Sequence, residues 1–217
     1  SWKDSSRMPG DRSSVPLPPL VGGILIGGGS RRMGRPKALL EWDGATFVER
    51  IAAALRAVVP EIVLLGAASG LPASLGPLPR IADLPGPPGQ QGPHGPIRGL
   101  LAAFEFRPGA AWLILSCDQP LLTAATLEWL IAERRPGRIA VLARRTPERI
   151  EPFPGIYEPG CRSALAALAE PERRGSLQPL AALPGVQVVA VPDRFAAELQ
   201  GVNTPAELAE LRRTAAL

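Results

Sequence analysis

The chain has 217 residues, 46% of them hydrophobic, which fits one domain with a sizeable core. Its two cysteines exclude a disulfide scaffold and a structural zinc site, and 5% aromatic residues exclude a base-stacking platform. The formal net charge is only +4, and the arginines are dispersed except at Arg31, Arg32 and Arg35, beside Lys37, so nucleic acid is not an expected partner.

Residues 1–19 mix charge, serine and proline without periodicity and read as a disordered leader or an appended tail, leaving a single domain over 20–217. The apolar stretch 15–26 contains Pro16, Pro18 and Pro19 and is shorter than the ~20 residues of a membrane span. No secretory signal is present either, so the expected location is the cytoplasm. Val21–Ile26 reads as a buried parallel strand that stops in Gly27-Gly28-Gly29-Ser30. Leu39–Trp42 reads as a brief extended piece before an Asp43-Gly44 turn. Thr46 and Glu49 form a capping box, and a helix runs from there to about Val58.

Residues 61–65 form a second apolar strand, and 80–83 a short third one. The proline- and glycine-rich stretch 84–96 reads as a mobile flap. Beyond it come a helix over 97–106, a strand over 112–115, a helix over 126–134 and a strand over 139–143. Residues 150–157 look extended, 161–169 and 176–183 helical, and 186–191 extended again. Thr204-Pro205-Ala206-Glu207 is a second capping box with proline at the first helical position, opening a helix to about Arg213.

Strands alternating with helices imply an α/β fold with a doubly wound, mostly parallel sheet. Ligands of such sheets sit beyond the carboxyl ends of the strands, which directs attention to the loops 27–37, 83–96 and 117–120. The segment Gly27 to Lys37 is the densest chemical signal. It is not a Walker loop, because Gly34 is followed by Arg35-Pro36-Lys37, and Arg32 stands where a dinucleotide fingerprint requires a third glycine. Bare backbone amides followed by several cations suit a triphosphate, while the plainer reading is a glycine-rich turn with a solvated basic flank. Lys3 and Lys37 are the only lysines among 24 Lys and Arg residues, so Lys37 is the only one beyond the leader.

Leu25-Ile26-Gly27-Gly28-Gly29-Ser30-Arg31-Arg32-Met33-Gly34-Arg35-Pro36-Lys37 resembles the signature loop of the nucleotidyltransferases that make molybdenum cofactor dinucleotides, and most resembles the guanylyltransferase branch. Three further stretches fall in that family's order. They are Gly95 to Leu101, Cys117-Asp118-Gln119-Pro120, and Val202 to Leu208, so the likeness spans about residues 21–213.

The resemblance implies a Rossmann-like fold of the nucleotide-diphospho-sugar transferase type. It implies that GTP rests on Leu25, Ile26, Gly27, Gly28, Gly29 and Ser30, with Lys37 facing the phosphates and Asp83 contacting the nucleotide. It makes Asp118 the ligand of a catalytic Mg²⁺, gives Asn203 to the metal or a phosphate, and lets Arg32 assist Lys37 in stabilising charge. The acceptor it implies is molybdopterin.

Read as residues, Asp118 at a strand end is either a hard oxygen ligand or a turn cap, and Asn203 either a ligand or a helix-start residue. Arg173-Arg174 reads as a solvated pair or an acceptor contact, and a Cys117–His94 dyad lacks support because nothing brings the two together. The chain departs from the guanylyl pattern at Leu65-Gly66-Ala67-Ala68, where that pattern has an asparagine that helps to recognise the base. CTP-dependent transfer, transfer to a sugar phosphate and a nucleotide-binding regulatory module therefore stay open.

Overall fold

The computed structural model describes residues 16–27, 36–85, 95–169 and 176–214. Three short apolar runs lie side by side in one sheet, β1 (Leu20–Leu25), β4 (Ile62–Leu65) and β6 (Ala111–Ser116), with the two-residue β5 (Arg80–Ile81) at its edge beside β4. Their side chains alternate between two buried faces, which is why the runs are continuously apolar instead of alternating with polar residues. Val21, Val63, Leu65, Trp112 and Ile114 face one core, where they meet Ile97, Leu100 and Phe104 of α2 (Pro96–Phe106) and Leu165 of α4 (Arg162–Leu168). Ile24, Ile62, Leu64, Leu113 and Leu115 face the other, against Ile51 and Leu55 of α1 (Phe47–Arg56) and Leu127 and Leu130 of α3 (Ala124–Ala132).

The seven-stranded sheet is completed by β7 (Ala140–Thr146), β8 (Arg149–Tyr157) and β9 (Val186–Ala190), in the order β5-β4-β1-β6-β8-β7-β9. All neighbouring strands are parallel except at β8, which runs antiparallel to both β6 and β7. The expected mostly parallel, doubly wound sheet is therefore the observed one. A small ribbon of β2 (Glu41–Trp42) and β3 (Ala45–Thr46) turns through Asp43 and Gly44, both at positive φ.

The capping box at the start of α1 forms as expected: the Glu49 amide donates to Thr46 Oγ1 at 3.3 Å and the Thr46 amide to Glu49 Oε2 at 3.0 Å. The second box opens α6 (Pro205–Thr214), where the Glu207 amide donates to Thr204 Oγ1 at 3.2 Å.

Two expectations need correction, and one element was not expected. Residues 37–39 form a 3₁₀ turn ahead of the short β2 strand, closed by the Leu40 amide on the Lys37 carbonyl. The stretch expected as a helix over 176–183 is a 3₁₀ helix limited to Gln178–Ala182; Leu183, which precedes Pro184, is extended, as a residue before proline tends to be. A short helix α5 (Asp193–Ala196) had no visible signal in the sequence; four residues are too few to display a period.

Pro18 and Pro19, counted with the leader, take part in packing. The Pro19 carbonyl accepts the Ala111 amide at 2.9 Å, and that of Pro18 accepts Arg134 Nη2 at 3.0 Å. Arg134 also pairs with Glu158 through two contacts of 2.8 and 3.1 Å, both side chains being nearly inaccessible. No helix among the described residues is long and apolar enough to cross a membrane.

Candidate active site

β1 and β6 lie side by side, Leu25 opposite Ser116, and both chains leave the sheet at the same edge. Beyond that edge opens a cleft of about 950 Å³, bounded by Leu25 at the end of β1, Ile26 and Gly27 just past it, Lys37, Asp83, the start of α2, Asp118 and Phe153. This volume lies near the upper end of the range typical of small-molecule sites.

Asp118 is the second residue past β6, and Ser116 is two residues before it. That spacing brings the Ser116 hydroxyl back to donate to Asp118 Oδ1. The other oxygen, Oδ2, faces Lys37 Nζ at 3.5 Å. Lys37 also donates to Asn203 Oδ1 at 2.6 Å. One ammonium thus bridges two side-chain oxygens that lie 81 and 166 residues further along the chain. The Lys37 and Asp118 side chains are 25% and 26% exposed, so the pair is partly shielded from water. Asn203 is held by the capping box behind it: Glu207 Oε2 accepts the backbone amides of Asn203 and Thr204 at 2.6 and 3.2 Å. The structural reading of Asn203 as a helix-start residue is thus met by its backbone, while its side-chain oxygen faces Lys37.

Asp83 reaches the cleft from the loop after β5. The surrounding walls partly bury its carboxyl and push it above the usual range, an effect that the nearby Arg98 guanidinium opposes. Arg98, in the first turn of α2, also donates to the Leu84 carbonyl at 3.2 Å. Two glycines make room for this carboxyl. Gly66 has φ +97°, and a Cβ there would stand 3.0 Å from the Gly27 amide nitrogen. A Cβ on Gly99 would meet Leu25 Cδ2 at 2.7 Å and Asp83 Oδ1 at 3.3 Å. The chain needs glycine at both places to bring β1, β4 and α2 this close.

Cys117 is buried, and its thiol donates to the Leu25 carbonyl at 3.1 Å. Burial first, and then the Asp118 charge, pushes the thiol well above its ordinary pKa, so it is no ready nucleophile.

The structure brings Leu25, Ile26, Gly27, Lys37, Asp83 and Asp118 to one cleft, with Asn203 reached through Lys37. Gly28, Gly29, Ser30 and Arg32 lie outside the described residues, as do His94, Arg173, Arg174 and residues 86–94 of the expected flap. Sequence reasoning missed Ser116, Arg98, Phe153 and Gln119. Arg98 and Gln119 stand inside the motifs Gly95 to Leu101 and Cys117-Asp118-Gln119-Pro120, and Ser116 carries a signal in its two-residue spacing from Asp118 at a strand end, whereas Phe153 carries none. Among the described residues no group of three or more His, Cys, Asp or Glu side chains could hold a metal. The Asp118 and Asn203 oxygens nonetheless suit Mg²⁺, which keeps several waters and is commonly held by one or two protein oxygens together with substrate phosphates.

A family model described as the MobA-like NTP transferase domain matches residues 22–203. The chain belongs to this family. It is accordingly a nucleotidyltransferase. It is 34% identical over 197 residues to the "probable molybdenum cofactor guanylyltransferase" of Rhodopirellula baltica, covering 88% of this chain and 90% of that protein. A Bacillus cytotoxicus protein of the same name is 30% identical, with 88% and 96% covered. Among solved structures, molybdopterin-guanine dinucleotide biosynthesis protein A from Archaeoglobus fulgidus superposes with a TM-score of 0.71. That match covers 90% of this chain and 98% of the other at 21% identity, and it bears on the fold. Transferases of this family typically use a divalent metal.

Proposed function

We propose that this transferase, as a single cytoplasmic domain over residues 20–217, moves GMP from GTP to the phosphate of molybdopterin and releases pyrophosphate. The observation that carries the reading is the convergence of Lys37, Asp118 and Asn203 at the mouth of β1 and β6. The names of the curated relatives support the choice of substrates.

A phosphate oxygen of molybdopterin attacks the α-phosphorus of GTP in line. The bond from that phosphorus to the bridging oxygen of the β-phosphate breaks, and the electron pair leaves with pyrophosphate. The attacking oxygen is already anionic, so no side chain must remove a proton, and the site needs no catalytic histidine. Leu25, Ile26 and Gly27 support the base and ribose, and Asp83 contacts the nucleotide. By family resemblance, Gly28, Gly29 and Ser30 also belong to the nucleotide site, and Arg32 assists Lys37. Lys37 moves from its carboxylate and amide partners to the phosphates, where its ammonium offsets the charge of the leaving group. Asp118, oriented by Ser116, would hold Mg²⁺ with Asn203. When bound, the ion supplies Lewis-acid stabilisation of the reacting phosphoryl oxygens.

The test is pyrophosphate release with each of the four NTPs, Mg²⁺ and molybdopterin. Release with GTP is expected. Gly66 in place of the guanylyl pattern's asparagine favours CTP as the second reading, and release with CTP alone would establish it. Nucleotide binding without release would leave a regulatory module.

A further inference from the structure

Gln119 follows Asp118 directly and is 4% exposed. Its amide nitrogen donates to two carbonyls from distant segments: Phe153 at 2.9 Å and Leu199 at 3.0 Å. Phe153 belongs to β8 and forms a wall of the cleft. Leu199 is buried against Ala143 and Phe195 and stands four residues ahead of Asn203. Between them, the Val202 amide donates to the Asp118 carbonyl at 2.7 Å. The return segment is thus tied twice to the Asp118–Gln119 dipeptide before it delivers Asn203. The Gln119 Oε1 oxygen is buried and has no partner among the described residues.

We propose that Gln119 is a positioning residue that sets the place of Asn203 relative to Asp118, with the Phe153 carbonyl as its second anchor. The proposal rests on reading this cleft as the site of nucleotidyl transfer. The side chain has the only common chemistry for the task at this length. Two facing carbonyls need two N–H donors from one atom, which a primary amide provides. A carboxylate of the same shape donates nothing and repels both carbonyls, its protonated form donates once, and a thioether not at all. A buried oxygen without a partner is unfavourable, and buried polar atoms of this kind are uncommon enough to ask for a reason. Here the orphan oxygen is the consequence of turning the nitrogen to the two carbonyls.

The test uses the full chain with Gln119→Glu and Gln119→Met, and with Gln119→Asn as a milder variant that keeps the amide one methylene short. Three quantities are measured: Mn²⁺ affinity without nucleotide by electron paramagnetic resonance, affinity for a non-hydrolysable GTP analogue without metal, and kcat and KM. The expected result is about tenfold weaker Mn²⁺ binding and at least thirtyfold lower kcat for the Glu and Met variants. The Asn variant should be intermediate, and analogue affinity and nucleotide KM should stay within twofold of wild type. Circular dichroism identifies folded variants, and the Asn variant carries the test if the other two do not fold. Mn²⁺ affinity within twofold of wild type in a folded variant would overturn the proposal. So would a loss of analogue binding as large as the loss of Mn²⁺ binding. Both binding measurements proceed without turnover, so they judge Gln119 even if wild-type protein releases no pyrophosphate, which would refute the functional reading alone.

Discussion

Replacing Lys37 by Met should move metal affinity and turnover in opposite directions. In the structure the Lys37 ammonium lies 2.6 Å from Asn203 Oδ1 and 3.5 Å from Asp118 Oδ2, the two oxygens proposed for the metal. A cation entering without nucleotide must therefore displace it. Unit charges about 4 Å apart interact by about 1 kcal/mol in water and about 4 kcal/mol at an effective dielectric constant of 20. The two side chains are 25% and 26% exposed, so solvent screening places the contact between these limits, at about 2 kcal/mol. That corresponds to a factor of about 30 in affinity. Lys37→Met should accordingly tighten Mn²⁺ binding to nucleotide-free protein by about 10- to 30-fold, while turnover falls by about 100-fold or more. Titration of the free Mn²⁺ resonance signal measures the first quantity and pyrophosphate release the second. Mn²⁺ affinity that is unchanged or weaker in the variant would refute the reasoning, since Lys37 would then organise the oxygens without competing for them.

Two further perturbations test the local electrostatics. Hydrogen bonds from Ser74 and then Thr46 hold the Glu49 carboxyl below its ordinary value of 4.5. A depressed carboxyl contributes stability above its unfolded pKa and loses it as pH falls through the folded one. Glu49→Gln should therefore destabilise by about 1 kcal/mol at pH 7, and urea titrations of variant and wild type should converge as the pH is lowered below about 4.5. Arg98→Met removes the guanidinium that opposes the burial of Asp83, so the already raised carboxyl should rise further. If ionised Asp83 contacts the nucleotide, acidification should weaken GTP binding at a higher pH in the variant than in wild type. Superimposable pH profiles of the GTP dissociation constant would remove Asp83 from the nucleotide contacts.

Much of the fold was legible because its signals are local. Residues 21–26, 62–65 and 112–115 are runs without a polar side chain, and both faces of β1, β4 and β6 are indeed covered by helices. The two capping boxes place Thr and Glu three residues apart, and each closes within a single helical turn. Where the local signal is thin, the reading failed. Gln178–Ala182 is apolar enough for a helix but is cut short at Leu183 ahead of Pro184, and α5 is a single turn. The antiparallel course of β8 leaves no trace in residues 149–157, since strand direction is decided by the partners.

The sequence by itself determined most of the elements, the sheet's mostly parallel character and the family, along with the lone Lys37 beyond the leader and the Cys-Asp-Gln-Pro motif. These depend on side-chain periodicity, on caps and on residue order, all of which are properties of neighbours along the chain. Only the tertiary structure decided that Lys37 stands between Asp118 and Asn203, and that Gln119 turns its one nitrogen to Phe153 and Leu199. Such contacts join residues 34 to 166 positions apart. Strand order and helix docking bring them together while burying apolar surface, and no local pattern encodes that distance.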